Sequence, residues 1–403
     1  MQAMEGQTRI TGMIQPMTPH PPPRLPPYAD ALTGLRGIAA LWVLLFHLWQ
    51  FMGGPRLMIG PIDLTPLAAR GHLGVDLFFV LSGYLIGGPW VLSRLGGPAV
   101  AVGTFWKRRF LRVFPAYWAQ WLVLAGLAVL AAKPFPMDWQ QALMSATLTF
   151  NLVDNSPVLN PVWWSLPVEW DFYLLAPLLA LLLASRRRLP PALVLVVLAC
   201  VGWRVLSWWM VHRHGADGIW VYRWVIQLPG RLDQFALGML VAHAFALGHV
   251  GSSRRLLLVG GAATLLLVWL SDRAGDVVDT ASAPWLFFQF TLFGCAFAAL
   301  VAAAANPGPR LVQVIFGNRL LVFAGTISYS LYLWHFPVLQ WLHAAALANG
   351  WSTADWRWAL VAVAASVVLS WLAYRLSEQP FLAHRRTSVP AVSAPIPVKE
   401  NSR

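Results

Sequence analysis

Residues 32–47 read LTGLRGIAALWVLLFH. Two ionisable side chains, Arg36 and His47, stand in a run that is otherwise almost wholly apolar. Carried on to Met52, the run has the roughly 20 residues that a helix needs to cross a bilayer. Eleven positions separate Arg36 from His47, which is about three turns plus 20° of an α-helix. The two therefore share one face about 16 Å apart. An ionisable group inside a span costs a few kcal/mol on insertion scales, so it needs a partner or a task. One reading gives the pair a long anionic ligand, with phosphates at Arg36 and the reactive end at His47. The other has a snorkelling arginine and a core histidine satisfied by a carbonyl.

Working outward, runs of the same kind recur to Tyr374. Of the 403 residues, 58% are hydrophobic, 11% are charged and 23 are tryptophan. Soluble domains carry about 25% charged residues, so this chain cannot coat a soluble surface of its size. A cytosolic enzyme, a disordered chain and a fibrous one are excluded. The expected fold class is all-α, a polytopic membrane protein with about ten transmembrane helices. They are placed at 32–52, 71–92, 115–132, 163–184, 191–211, 223–247, 256–270, 284–305, 320–346 and 357–376, with a re-entrant or interfacial helix at 139–153. The proline-rich residues 1–31 (PMTPHPPPRLPP at 16–27) and residues 383–403 read as disordered cytoplasmic tails around a membrane domain at 32–382. No transporter-type internal repeat is visible.

The net charge of +13 sits in short loops, which argues for the positive-inside rule and against nucleic acid. Loops bearing Arg94, Lys107, Arg108, Arg186, Arg187, Arg188, Arg254 and Arg255 alternate with poorer ones bearing Arg56, Arg70, Lys133 and Arg273. Both termini are therefore placed in the cytoplasm; the Ala-, Arg-, Trp- and Pro-rich composition points to a high-GC bacterium, so the chain is expected in a bacterial cytoplasmic membrane. Cys200 and Cys295 lie in apolar runs and offer neither a disulfide framework nor a thiolate site. His212 and His214 lack further ligands, so no metal site is read.

Other polar residues stand out against the apolar background. Asp76 opens the second span one turn after His72. It serves acceptor hydroxyls, holds His47 in its tautomer, or is simply a carboxylate favoured at a helix start. Ser82 and Tyr84 follow on the same span. Arg109 and Arg112, three apart in FWKRRFLRVFPAYW (residues 105–118), share a face. Their guanidinium forks suit a nucleotide donor's phosphates, or anionic lipid. Ser165, Glu169 and Tyr173 fall at i, i+4 and i+8 on one stripe. A glutamate there is a candidate to raise the basicity of an imidazole or to contact hydroxyls. Arg231 reads equally as a partner for a carboxylate and as a ligand contact. Tyr329 and His335 lie in SYSLYLWHFPV (residues 328–338), with His335 about mid-span.

Five blocks in this order, LTGLRGIAALWVLLFH, GHLGVDLFFVLSGYLI, RRFLRVFPAYW, WSLPVEWDFYLLAPLL and ISYSLYLWHFPVL followed by EQPF, resemble the acyltransferase 3 family of integral membrane O-acyltransferases. The resemblance covers nearly everything from Leu32 to Leu382. It matches the family's basic residue and histidine of the first helix to Arg36 and His47. Its paired arginines match Arg109 and Arg112, and its glutamate after Trp-Ser-Leu matches Glu169. It implies acyl-CoA, acetyl-CoA by default, as donor substrate with no tightly bound cofactor. The implied acceptor is a hydroxyl on a sugar or sugar-decorated metabolite such as a macrolide, with cell-surface polysaccharide or glycolipid as the alternative. Many polysaccharide-modifying members carry an extra extracytoplasmic domain. This chain ends shortly after its last helix and is expected to work with the ten-helix unit alone or with a partner. On this reading Arg36, Arg109 and Arg112 meet the phosphates and His47 is the general base. Glu169 or Asp76 stabilises its imidazolium, and Ser82, Tyr84, Ser165, Tyr173, Arg231, Tyr329 and His335 contact substrate. The rival classes are a transporter or flippase and a non-catalytic scaffold.

Overall fold

A backbone N–H or C=O left without a partner in lipid costs several kcal/mol, so each long apolar run closes its hydrogen bonds within itself as a helix. The structure, a computed structural model, describes residues 23–131, 137–152, 158–183, 185, 189–213, 223–275, 283–306 and 310–383. The expected tails fall largely outside the described residues, and the first helix already begins at Asp30.

Eight helices among the described residues are long and apolar enough to cross a membrane. They are α1 (Asp30–Phe51), α2 (Gly71–Arg94), α3 (Val102–Leu130), α4 (Pro161–Leu183) and α5 (Leu189–Arg213), then α7 (Ser253–Ala274), α8 (Pro284–Ala305) and α10 (Trp356–Leu382). Between them, α6 (Leu232–Ala246) is apolar but shorter, and α9 (Ser328–Ala348) has 21 residues with serines, tyrosines and histidines along it. The chain is a multi-pass helical membrane protein. The exception to all-α structure is a two-stranded ribbon between α1 and α2, Met58–Ile59 against Ile62–Asp63. Gly60 turns it at φ +57°, a value that suits glycine.

Three spans differ in kind from the sequence expectation. Helix α3 runs unbroken through Pro115 from Val102, so the basic segment and the span are one helix of 29 residues. Spans accept an internal proline because neighbouring groups re-satisfy the freed carbonyl. The sixth span is shorter than expected, because Pro229 sits in a 3₁₀ turn, Leu228–Gly230, ahead of α6. The ninth divides at Ile327 into a short helix, Arg319–Thr326, and α9. The interfacial segment is a short helix, Trp139–Ala146, started by an Asp138–Gln141 capping box.

Between spans there is no hydrophobic driving force, since lipid is as apolar as leucine, and close packing holds the helices together. Gly83 on α2 and Gly238 on α6 show this: a methyl group on either would lie 2.1 Å from a backbone oxygen of the other helix, Phe235 or Val80. At Gly83 the helix widens into a π turn, Gly83–Gly87, and α10 does the same at Tyr374–Glu378. One apolar cluster gathers Phe79, Tyr117, Trp163, Phe172, Phe235 and Leu333. A second, around Leu35, Leu77, Phe293 and Phe297, joins α1 and α2 to α8. Leu195, Leu258, Leu265, Leu360 and Val361 stay exposed on α5, α7 and α10, as a lipid-facing surface requires.

Candidate active site

Four helices line a partly open pocket with a cavity volume of about 50 Å³. Arg36 enters from α1. Val75, Phe78, Phe79 and Ser82 enter from α2 at i, i+3, i+4 and i+7, one face of a helix. Ser165, Leu166 and Glu169 come from α4, and Ser328, Tyr329 and Tyr332 from α9. Helix α4 can supply its first turns because it starts inside the protein. Asn160 is fully buried; its amide donates to the Leu333 carbonyl at 2.9 Å, and its oxygen accepts from the Val162 N–H.

The polar groups of the cavity hold one another. Ser82 Oγ donates to Glu169 Oε1 at 2.7 Å. The Tyr332 hydroxyl donates to the Val162 carbonyl, so Ser165 Oγ, 2.7 Å away, donates to it in turn. Arg36 Nη2 donates to Ser328 Oγ at 3.3 Å, with the guanidinium 5.8 Å from the centre of the Phe78 ring. A fixed cation, a serine-bound carboxylate and several hydroxyls between aromatic walls suit a ligand with both anionic and hydroxyl groups.

Stripes on α1 and α9 lead from this cavity to a pair of imidazoles. His47 lies eleven residues after Arg36, and His335 follows Tyr332 by three, with ring centres 6.0 Å apart. His335 Nε2 is 3.2 Å from His47 Nδ1. Each Nδ1 also faces the carbonyl four residues earlier on its own helix, Val43 at 3.1 Å and Leu331 at 2.9 Å.

The remaining expected site residues are placed as follows. Asp76 is buried against Arg231 and accepts from Gln234 Nε2 at 2.6 Å. Arg231 lies 3.5 Å over the Phe290 ring. The hydrogen-bond partners described for His47 are thus His335 and Val43, while Asp76 is turned to α6. Tyr84 is buried with its ring 6.0 Å from Phe245. Tyr173 is buried beneath the Arg109 guanidinium, 5.8 Å from its ring. Arg109 Nε is buried with no hydrogen-bond partner among the described residues. Arg112 pairs with Glu378 and lies 5.6 Å over Tyr329, whose hydroxyl donates to the Val113 carbonyl at 2.9 Å. Among the described residues no group of three or more His, Cys, Asp or Glu could hold a metal ion; His214 lies outside them.

Residues to which the sequence reading gave no role make buried polar contacts around the site. Glu378 accepts from the Ser330 N–H at 2.9 Å and its hydroxyl at 2.5 Å, as well as from Arg112. Its one signal is a glutamate at the end of an apolar run. Beside Asp76, Arg204 and Asp233 form a fully buried bidentate pair at 2.8 and 2.7 Å.

A partly open polar pocket and a histidine pair, set among apolar helices, define a multi-pass membrane protein with a polar site between its helices. Residues 30–375 match the acyltransferase domain family, and the chain belongs to it. A Staphylococcus aureus (strain COL) protein provisionally named an O-acetyltransferase is 25% identical over 387 residues, covering 88% of this chain and 57% of the relative. The O-acetyltransferase OatA of Staphylococcus aureus (strain NCTC 8325 / PS 47) is 27% identical over 346 residues, covering 79% of this chain and 52% of the relative. The chain thus spans about half the length of the curated relatives it matches. No solved structure matches it.

Proposed function

We propose that the protein is a membrane O-acyltransferase. It moves an acyl group, acetyl by default, from acyl-CoA to a hydroxyl of a sugar or sugar-decorated natural product such as a macrolide. The observation that carries the reading is the cavity: Arg36, Glu169 and a ring of serine and tyrosine hydroxyls, joined along α1 and α9 to His47. Family membership and relatives named as O-acetyltransferases support the acyl chemistry and the acetyl default.

The donor's phosphates are met by Arg36 and Arg109. Arg112 shares its charge with Glu378 and so contributes less. The pantetheine arm, of the same order as the roughly 16 Å between Arg36 and His47, carries the thioester toward the histidine. Ser82, Ser165, Tyr329 and Tyr332 offer hydrogen bonds to hydroxyls, and Phe78 and Phe79 give the apolar walls. As the acceptor oxygen attacks the thioester carbonyl, His47 Nε2 takes its proton. The C–S bond then breaks, and the same proton passes to the departing CoA sulfur. Glu169, held by Ser82, keeps a negative charge in the cavity while the imidazolium exists.

The test is transfer of label from radiolabelled acetyl-CoA to a panel of macrolides and glycans by protein in nanodiscs. Wild type is expected to form a labelled ester, and the labelled acceptor is then identified. His47→Ala is expected to keep CoA binding and lose transfer by about 10² to 10⁴. Equal transfer by that variant would overturn the base. Absence of CoA binding would overturn the donor and favour a transporter.

A further inference from the structure

We infer that His335 is a positioning residue that acts through His47: it accepts the hydrogen of His47 Nδ1 and so leaves Nε2 as the one nitrogen of that ring able to take a proton. The inference rests on the transferase reading for its kinetic consequence, though not for its geometry. A carbonyl oxygen only accepts. The Leu331 carbonyl, 2.9 Å from His335 Nδ1, therefore requires the hydrogen of a neutral His335 on Nδ1. His335 Nε2 is then a bare acceptor, and it points at His47 Nδ1 across 3.2 Å. His47 Nδ1 also faces a carbonyl, that of Val43 at 3.1 Å, so it carries a hydrogen shared between the two acceptors. One chain of donors results, from His47 to His335 to the Leu331 carbonyl, with a single polarity.

The surroundings hold that polarity in place. His335 is buried on α9 one turn from Leu331 and one turn from Leu339, which belong to an apolar cluster, and the Phe336 ring stands edge-on to His47 at 5.2 Å. The nearby His72 packs on Phe46 and His343 on Phe51. The hydrogen bonds described for the pair go to each other and to the backbone of their own helices. No carboxylate is among the hydrogen-bond partners described for His47, so its tautomer is set by two neutral acceptors, the His335 imidazole together with the Val43 carbonyl. When His47 gains its second proton, the Nδ1–H to Nε2 bond becomes charge-assisted and strengthens at that step.

The experiment measures kcat and KM for wild type, His47→Ala, His335→Ala, His335→Gln and the His47→Ala/His335→Ala double variant in nanodiscs, with melting temperatures alongside. A glutamine amide oxygen stands near the place of an imidazole Nε2 and can accept the same hydrogen. His335→Ala is expected to lose about tenfold or more in kcat at similar KM, a part of the 10² to 10⁴ ascribed to a general base. His335→Gln should recover most of that loss. The double variant should be no slower than His47→Ala, because residues acting as one unit are not additive. Additive losses, a change confined to KM, or glutamine no better than alanine would each overturn the inference. A second arm reads the tautomer by ¹⁵N NMR of histidine-labelled protein, with His47→Ala assigning the signal. Hydrogen on His47 Nδ1 in wild type and a mixture in His335→Ala support the inference; hydrogen on His47 Nε2 in neutral wild type overturns it. Should wild type transfer nothing, the transferase reading falls and the tautomer arm alone decides the pair.

Discussion

Replacing Arg204 by methionine removes one half of a fully buried ion pair, and the structure sets the size of the effect. Arg204 donates two hydrogen bonds to Asp233 at 2.8 and 2.7 Å, and others to the carbonyls of Gly230 and Phe287 and to Thr291 Oγ1. After the change Asp233 keeps the Thr291 hydroxyl and the Gln234 N–H at 3.0 Å, with no cation among its described hydrogen-bond partners. Two charge-assisted bonds at about 1.5–3 kcal/mol each amount to about 3–6 kcal/mol. Breaking a buried pair from one side costs a similar 3–5 kcal/mol. Removing both charges, as Arg204→Met/Asp233→Leu, leaves no stranded carboxylate and should restore most of the loss. Thermal unfolding in detergent, followed by tryptophan fluorescence, should show a large fall in melting temperature for the single variant and a small one for the double. A double variant as unstable as the single would refute the reasoning, since the cost would then lie in packing and not in an uncompensated charge.

Two further outcomes follow from the same geometry. Arg36→Ala should raise KM for acetyl-CoA about tenfold to a hundredfold, as loss of a charged hydrogen bond worth about 1.5–3 kcal/mol implies; Arg36→Lys should fall between, and an unchanged KM in both would remove Arg36 from the donor site. Gly83→Ala should abolish a monodisperse peak in size-exclusion chromatography, because the added methyl meets the Phe235 carbonyl oxygen at 2.1 Å; a stable, active variant would show that α2 and α6 separate easily.

What could be read from the chain, and what could not, divides along a physical line. Helices were legible because the bilayer imposes length and apolarity on each run separately. That Arg36, Ser82, Ser165, Glu169 and Tyr329 meet at a cavity was foreshadowed by the cost of polar groups in such runs. Pairing was not legible, since it depends on contacts between distant segments. Asp76 read as a partner for acceptor hydroxyls or for His47, yet it meets Arg231, 155 positions on, and Arg112 meets Glu378 across 266. The start of α3 was misplaced for the same reason. Charges at 107–112 resemble a loop until Tyr173 and Glu378, on other helices, are seen beneath Arg109 and beside Arg112.

The π turn at Tyr374–Glu378 holds one residue more than a regular helical turn would, and Glu378 is its last member. Were the same residues wound as an ordinary helix, the extra one would swing everything beyond it by about 100°. Glu378 would then leave Arg112 and Ser330 even though its side chain were untouched. The site is therefore sensitive to how the last helix is wound as well as to which residues it carries. Losing the wide turn while keeping its five residues would disable the site as surely as the loss of a charge, with every side chain that lines the cavity still in the chain.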